Sequence, residues 1–181
     1  MDRQTRTETP TEVAAVVETV TVTVDWYGGD RAALRPLFAL AEDSAAELDS
    51  YIDAGRVLVA TLDGDPVGHL HVVPEGDAGS AEIKNMAVRE DLHGRGIGRL
   101  LVREVLARLA GEGIVTVRVA TAAADTGNLR FYQRLGFRMR SVERDAFTEA
   151  TGYPPGLFVD GILLRDRVWL DQTVAATPAI R

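Results

Sequence analysis

The sequence predicts a mixed α/β sheet with helices on both faces. Two hairpin-forming runs in the first half call for antiparallel neighbours, whereas a strand, turn, helix and strand from 81 to 120 call for a parallel pair joined by a right-handed crossover. Helical spacing before and after these runs supplies the covering layers. A chain of 181 residues is a little more than one typical domain. Residues 19–172 are therefore expected to form a single domain, with 1–18 a flexible N-terminal segment and 173–181 a tail.

From Thr19 to Trp26 the chain alternates strictly, valines and Trp26 on one face and threonines and Asp25 on the other, which is the pattern of a half-buried strand. Gly28, Gly29 and Asp30 end it. Leu34, Leu37, Phe38 and Ala41 then recur at helical spacing, although Pro36 should shorten that helix. Ser44 and Glu47 read as a capping box before a second helix that buries Leu48, Tyr51 and Ile52 and stops at Gly55. Val57–Leu62 and Val67–Val73 are strands around the turn signal Asp63-Gly64-Asp65-Pro66. Residues 81–88 are a further strand, unusually polar at Glu82, Lys84 and Asn85. By simple alternation Glu82 falls on one side with Lys84, Met86 and Val88.

Ile97, Leu100, Leu101, Val105, Leu106 and Leu109 trace the apolar stripe of an amphipathic helix closed by Gly111 and Gly113. A strand at 114–120, a short helix from Asn128 to Leu135, and strands near 137–143 and 162–170 complete the order. The connection from Asp145 to Gly161 is long and carries Pro154 and Pro155; such loops often border binding sites.

Composition narrows the chemistry. Hydrophobic residues at 46% suffice for a core, and the complete lack of cysteine excludes a disulfide scaffold, a thiolate zinc site and a cysteine nucleophile. With 20 basic against 27 acidic side chains the net charge is −7, the wrong sign for a surface that tracks nucleic-acid phosphates. Neither a run of about 20 apolar residues nor the apolar core of a secretory signal is present, so no nucleic-acid or membrane partner is expected and the expected location is cytoplasmic.

The segment from Asp91 to Leu101 joins a strand end to a helix start and holds Gly94, Gly96 and Gly98 at alternate positions. Unsatisfied amides at a helix N-terminus carry partial positive charge, and glycines let an anion approach them. The spacing is neither that of a P-loop, because Gly98 is followed by Arg99 and Leu100, nor the G-x-G-x-x-G of a dinucleotide site. A bare structural turn would have the same glycines. Arg89, Arg95, Arg99 and Arg103 tip the balance toward an anionic ligand. His69 and His71 lie two apart on one strand face, a spacing that can chelate a metal, but only Glu75 or Asp77 offers a nearby third ligand, so they read as ordinary strand histidines and no metal is expected.

The run Val88 to Leu101 resembles the acyl-CoA-binding motif of the Gcn5-related N-acetyltransferase (GNAT) family, with His93 in place of the usual glutamine or arginine. The run Asn128-Leu129-Arg130-Phe131-Tyr132-Gln133-Arg134-Leu135-Gly136-Phe137 resembles that family's second signature. Two motifs in the right order are more specific than either. The resemblance implies an acyltransferase of the GNAT-like fold that moves acetyl from acetyl-CoA, its co-substrate, to a primary amine of a small molecule or a protein. It further implies that the CoA pyrophosphate rests on the amides of His93, Gly94, Arg95, Gly96, Ile97, Gly98 and Arg99, with the pantetheine arm along Met86, Ala87 and Val88 where two parallel strands splay.

On the same resemblance Asn128 would bond to the arm and Tyr132 would protonate the departing thiolate; the bland alternative for Tyr132 is packing on the sheet. An amine acceptor must lose a proton to attack, and Glu82 is the candidate base, its alternative a solvated strand end. Tyr27, Asp145, Glu149, Tyr153 and Asp160 are candidate walls of the acceptor pocket. A non-catalytic acyl-CoA-binding or sensor module and a metal-dependent enzyme using His69 and His71 are the competing readings. The oligomeric state, monomer or homodimer, stays open.

Overall fold

The computed structural model describes residues 21–42, 44–76 and 78–174. The expected flexible segment 1–18, the first two residues of the expected first strand and Asp77 lie outside them, as does all but the start of the expected tail. A seven-stranded sheet runs in the order β1-β2-β3-β4-β5-β9-β6, and a separate two-stranded ribbon pairs β7 with β8.

Strand β1 (Val22–Trp26) pairs antiparallel with β2 (Arg56–Leu62), placing Val22, Val24 and Trp26 against the core as the alternation predicts. Between them lie a 3-10 turn (Arg31–Leu34) and two short helices, α1 (Arg35–Phe38) and α2 (Ala45–Tyr51). Pro36 sits in the first turn of α1, where its missing N–H costs nothing, so the helix begins there and ends after four residues. Only half of the expected capping box forms: Ser44 Oγ accepts from Glu47 N–H, whereas Ser44 N–H donates to Glu42 rather than to Glu47.

Strand β3 (Asp65–Pro74) returns from β2 through Asp63 and Gly64, both at positive φ (51° and 90°), the two-residue geometry whose twist matches a hairpin. Strand β4 (Ser80–Val88) pairs antiparallel with β3 and parallel with β5 (Thr116–Ala122). Helix α3 (Ile97–Gly111) makes the crossover, burying Leu101, Val102, Val105 and Leu109 against the sheet. After α4 (Thr126–Arg134) come β6 (Arg138–Glu143), the ribbon β7 (Phe158–Val159) and β8 (Ile162–Leu163), and β9 (Arg167–Thr173). The expected strand 162–170 is thus two strands. Asp166 breaks it by turning its carboxylate to the N–H of Asp145 and its carbonyl to the N–H of Ala123. The last strand inserts between β5 and β6, leaving β6 as a solvent-exposed edge.

Two apolar cores result. Helices α3 and α4 cover one face, where Leu58, Leu70, Ile83, Leu101, Val117 and Tyr132 meet; α1 and α2 cover the other with Leu34, Phe38, Leu48 and Tyr51 over Val57 and Val59. The expectation of helices on both faces is met.

Gly55 follows α2 at φ 55°, and a Cβ there would overlap the carbonyl of Val72, while Gly64 has φ 90° and open space around it. Alanine at either site pays for the left-handed backbone, about 1 kcal/mol, but at Gly55 it also displaces β3. Gly64→Ala should lower the unfolding free energy in urea by about 1 kcal/mol and Gly55→Ala by at least about 2 kcal/mol more; equal losses would remove the steric contribution.

Candidate active site

The site begins with a register shift. His71 pairs with Asn85 and Val72 with Ile83, so Lys84 is one extra residue on β4, a β-bulge. An inserted residue reverses the alternation. Glu82, Asn85 and Ala87 therefore share the α1–α2 face with Val73, His71 and His69, while Ile83, Met86 and Val88 share the α3–α4 face. The sequence expectation that Glu82 sits with Met86 and Val88 is corrected: simple alternation fails at Lys84.

Parallel pairing of β4 with β5 extends only from Ser80↔Thr116 to Ile83↔Val119, although both strands continue. A wedge opens beyond the bulge. Arg89 N–H donates to Val67 C=O, and antiparallel pairs alternate between bonded and non-bonded, so the N–H and C=O groups of Met86 and Val88 point away from β3 toward this wedge. His93 Nε2 donates to Val88 C=O at 2.7 Å, tying the glycine turn to the strand end. That contact gives His93 a positioning role in the turn that the sequence alone does not disclose.

At the mouth of the wedge Gly96 takes φ 85° and opens α3 with no side-chain cap, so the first-turn amides of Ile97, Gly98 and Arg99 face outward. A Cβ on Gly94 or Gly96 would meet nothing within 4 Å, which is the open cradle an anion needs. Arg89 is paired with Asp91 at 2.7 Å, but no carboxylate is within ion-pair distance of Arg95, Arg99 or Arg103 among the described residues. A Cβ on Gly98 would lie 3.5 Å from Phe131 and 3.9 Å from Met86 Cε, so Gly98 keeps α3 close to α4 and β4.

Asn128 does not begin α4. Asp125 caps the helix, accepting from Asn128 N–H at 2.8 Å and from Asn128 Nδ2 at 2.7 Å, so the Asn128 amide nitrogen is held and its oxygen is the atom left for another partner. Tyr132 is 5% exposed and its ring packs edge-on to Phe131 and Phe137. Burial, reinforced by the charge of Asp125, pushes its phenol well above the ordinary range, which keeps the proton on the oxygen.

On the α1–α2 side of the wedge lies a cavity of about 240 Å³. Its floor is Glu82, Lys84, Ala120 and Ala122; its walls include Glu42, Glu47 and Tyr51 from one side and Phe147, Tyr153, Arg167 and Trp169 from the other. Of the candidate wall residues read from sequence, Tyr153 lines this cavity and Tyr27, Asp145, Glu149 and Asp160 do not. Asp145 instead holds Arg165 at 2.5 Å. Glu42 and Glu47 escaped notice because they flank a helix start, where acidic residues are expected on capping grounds. Asp125 had a legible signal, Asp-x-x-Asn ahead of an amphipathic helix.

Glu82 Oε1 is 3.4 Å from Lys84 Nζ, and Lys84 lies 5.4 Å from the centre of the Tyr51 ring. Behind them His69, fully buried, contacts Asn85 Oδ1 at 2.8 Å, and Asn85 Nδ2 donates to Tyr51 Oη at 2.9 Å and to Phe38 C=O at 3.3 Å. His71 contacts Ala54 C=O at 2.6 Å. Each histidine thus has a protein partner, and no group of three or more His, Cys, Asp or Glu able to hold a metal exists among the described residues.

Residues 24–137 match the model of the acetyltransferase (GNAT) family. An uncharacterized N-acetyltransferase of Bacillus subtilis (strain 168), YvbK, is 31% identical over 140 residues, covering 76% of this chain and 88% of the relative. Among solved structures, a B. subtilis acetyltransferase in complex with CoA superposes with TM-score 0.77 at 26% identity, covering 84% of this chain and 99% of the other. A GNAT family acetyltransferase from Elizabethkingia anophelis with acetyl-CoA bound superposes with TM-score 0.76 at 27% identity, over 84% and 97% of the two chains.

Burial lowers the pKa of His69 from 6.5 to about 4, partly offset by its bond to Asn85. The unfolded chain therefore binds this proton more readily than the fold. Stability from the neutral ring is complete above pH 6.5 and is lost as pH falls toward 4, roughly 3 kcal/mol in all. Denaturation series from pH 7 to 4 should show a steeper loss for the wild type than for His69→Gln, which keeps a donor for Asn85; parallel slopes would count against the assignment.

Proposed function

Because the chain belongs to the GNAT acetyltransferase family, we propose that it transfers acetyl from acetyl-CoA directly to a primary amine, with the chemistry at the β4/β5 wedge. The observation that carries this reading is the unpaired edge of β4. Strand pairing stops at Ile83 while the N–H and C=O of Met86 and the N–H of Val88 remain directed into a gap beside an uncapped helix N-terminus, the Val88 C=O being taken by His93. An extended amide-bearing arm fits such an edge as another strand would, and an anion fits the adjoining turn.

Bound acetyl-CoA supplies an activated thioester. The amides of residues 93–99 hold the pyrophosphate, with Arg95 and Arg99 beside it, and Met86, Ala87 and Val88 run alongside the arm. The Met86 N–H, directed into the wedge, donates to the thioester carbonyl and stabilises charge as it develops there. The Asn128 side-chain oxygen accepts from the arm on the opposite side. Glu82, on the cavity floor, takes the proton from the acceptor nitrogen so that a neutral amine attacks. Tyr132, whose burial keeps the phenol protonated at rest, donates that proton as sulfur departs. No cysteine is available for an acyl-enzyme, so transfer is direct.

The acceptor is a primary amine on a small molecule or a protein, and the domain that does this work spans 19–172. Acetyl-CoA is a product of intracellular metabolism, which supports a cytoplasmic site of action.

Free thiol release from acetyl-CoA over a panel of amines tests the activity; CoA binding with no turnover on any amine would favour the sensor alternative. Tyr132→Phe should lower kcat by about 100-fold while CoA affinity changes less than about threefold, and an unchanged kcat would remove Tyr132 from the acid role. Gly98→Ala should fold normally, since its Cβ makes only ordinary contacts, yet weaken CoA binding about tenfold or more by narrowing the space between α3 and α4; full affinity by calorimetry would refute the placement.

A further inference from the structure

The buried polar groups behind the cavity form a chain with one direction. Phe38 C=O can only accept, so the Asn85 atom 3.3 Å from it is the amide nitrogen, and the Asn85 atom facing His69 is the oxygen. His69 Nε2 is then a donor. The same Asn85 nitrogen donates to Tyr51 Oη, which leaves the Tyr51 proton for Glu42 Oε2 at 3.4 Å. Three groups thus hand hydrogen bonds forward, His69 to Asn85 to Tyr51 to Glu42, each polarising the next in a site of low dielectric. Glu42 Oε1 receives two more donors, Tyr153 Oη at 2.8 Å and Ser44 N–H at 3.0 Å.

All of this converges on one carboxylate in the wall of the cavity. Three neutral donors, Tyr51, Tyr153 and Ser44 N–H, hold it in place, with Asn85 and His69 behind Tyr51, yet no Lys, Arg or His lies within ion-pair distance of it among the described residues. The two cations that line the cavity are committed elsewhere: Lys84 to Glu82 and the Tyr51 ring, Arg167 to Glu143 at 3.3 Å and the Phe147 ring at 5.2 Å. The faces of Tyr51 and Phe147 already serve cations within this cavity. A negative charge held by neutral donors and bordered by aromatic rings is complementary to an ammonium group.

We propose that Glu42 recognises a second cationic centre on the acceptor, so that the enzyme selects a diamine or a similar polycationic amine: one nitrogen reacts above Glu82 while the other is anchored by Glu42. This specificity rests on the acetyl-transfer reading, in which Glu82 marks the reacting end of the same cavity. Clasping the connector before α2 to the turn at Tyr153 would alone explain some of the hydrogen bonds. It would not produce a preference between acceptors of equal length.

Calorimetric titration of the CoA-loaded protein with 1,5-diaminopentane, pentylamine and 5-aminopentanoate varies only the distal group. The diamine should bind the wild type at least about tenfold tighter than pentylamine, and the amino acid should bind weakest. In Glu42→Gln the diamine-to-monoamine ratio should collapse to within about threefold while CoA affinity is kept, and Glu42→Asp should restore part of it. Equal affinity of the wild type for diamine and monoamine, no detectable binding of the diamine, or an undiminished ratio in Glu42→Gln would overturn the assignment. Thiol release with 1,5-diaminopentane is read separately: selective binding without release would count against acetyl transfer and leave recognition by Glu42 standing.

Discussion

The structure depends on one inserted residue. Lys84 has no partner on β3, and a strand carrying such a bulge bends and twists away from its neighbour on the other edge. Here the neighbour is β5, and the parallel ladder ends one residue before the bulge. The same insertion exchanges the faces of β4, sending Glu82 and Asn85 toward α1 and α2 and Met86 and Val88 toward α3 and α4. A continuous ladder would leave no unpaired backbone edge and would put Glu82 on the same side as Met86. Both the cleft and the division of labour around it follow from that residue.

Bulges are costly unless something holds them, and the buried network is placed to do so. Asn85 directly follows the extra residue, and its side chain bridges β3 at His69 to α1 at Phe38 and α2 at Tyr51. Leaving any of these groups unpaired in the interior would cost about 1–3 kcal/mol, so the network penalises any other course of the strand at this point. The price is two buried histidines, each with an unpartnered Nδ1, that the fold keeps neutral. His69 and His71, which at first sight suggest a chelate, are better explained as parts of this frame.

Much of the fold was legible because it is written in local chemistry: the alternation at Val22–Trp26, the Asp63-Gly64 turn, the stripe of α3, and the glycines that expose its N-terminus. What the sequence hid is non-local. No periodicity reveals that β9 slides between β5 and β6, because the order of strands is set by which edges remain open when the chain returns. The polarity of Glu82, Lys84 and Asn85 was visible as an anomaly, but the direction in which each points depends on pairing with β3. Likewise the long loop after β6 was legible as a cavity border, while most of the individual wall residues, those before and on α2 included, were missed, Tyr153 excepted. A loop's contacts are decided by where it docks.

Direct acyl transfer imposes a geometric demand that a sheet normally forbids. The incoming amine and the outgoing thiolate must reach the same carbonyl carbon from different directions, and a closed ladder separates the two faces by a continuous wall. In this protein the acidic cavity lies on the α1–α2 side and the glycine turn and Tyr132 on the α3–α4 side. The wedge is the passage between them. The two faces differ in character: Glu82 stands near Lys84 in a polar cavity, whereas the Tyr132 ring is enclosed among Phe131 and Phe137. Burial in these apolar surroundings keeps the Tyr132 phenol protonated. The net charge of −7 is also unevenly placed: Glu42, Glu47 and Glu82 line the cavity, whereas the uncapped N-terminus of α3, with Arg95 and Arg99 in and beside the glycine turn, does not.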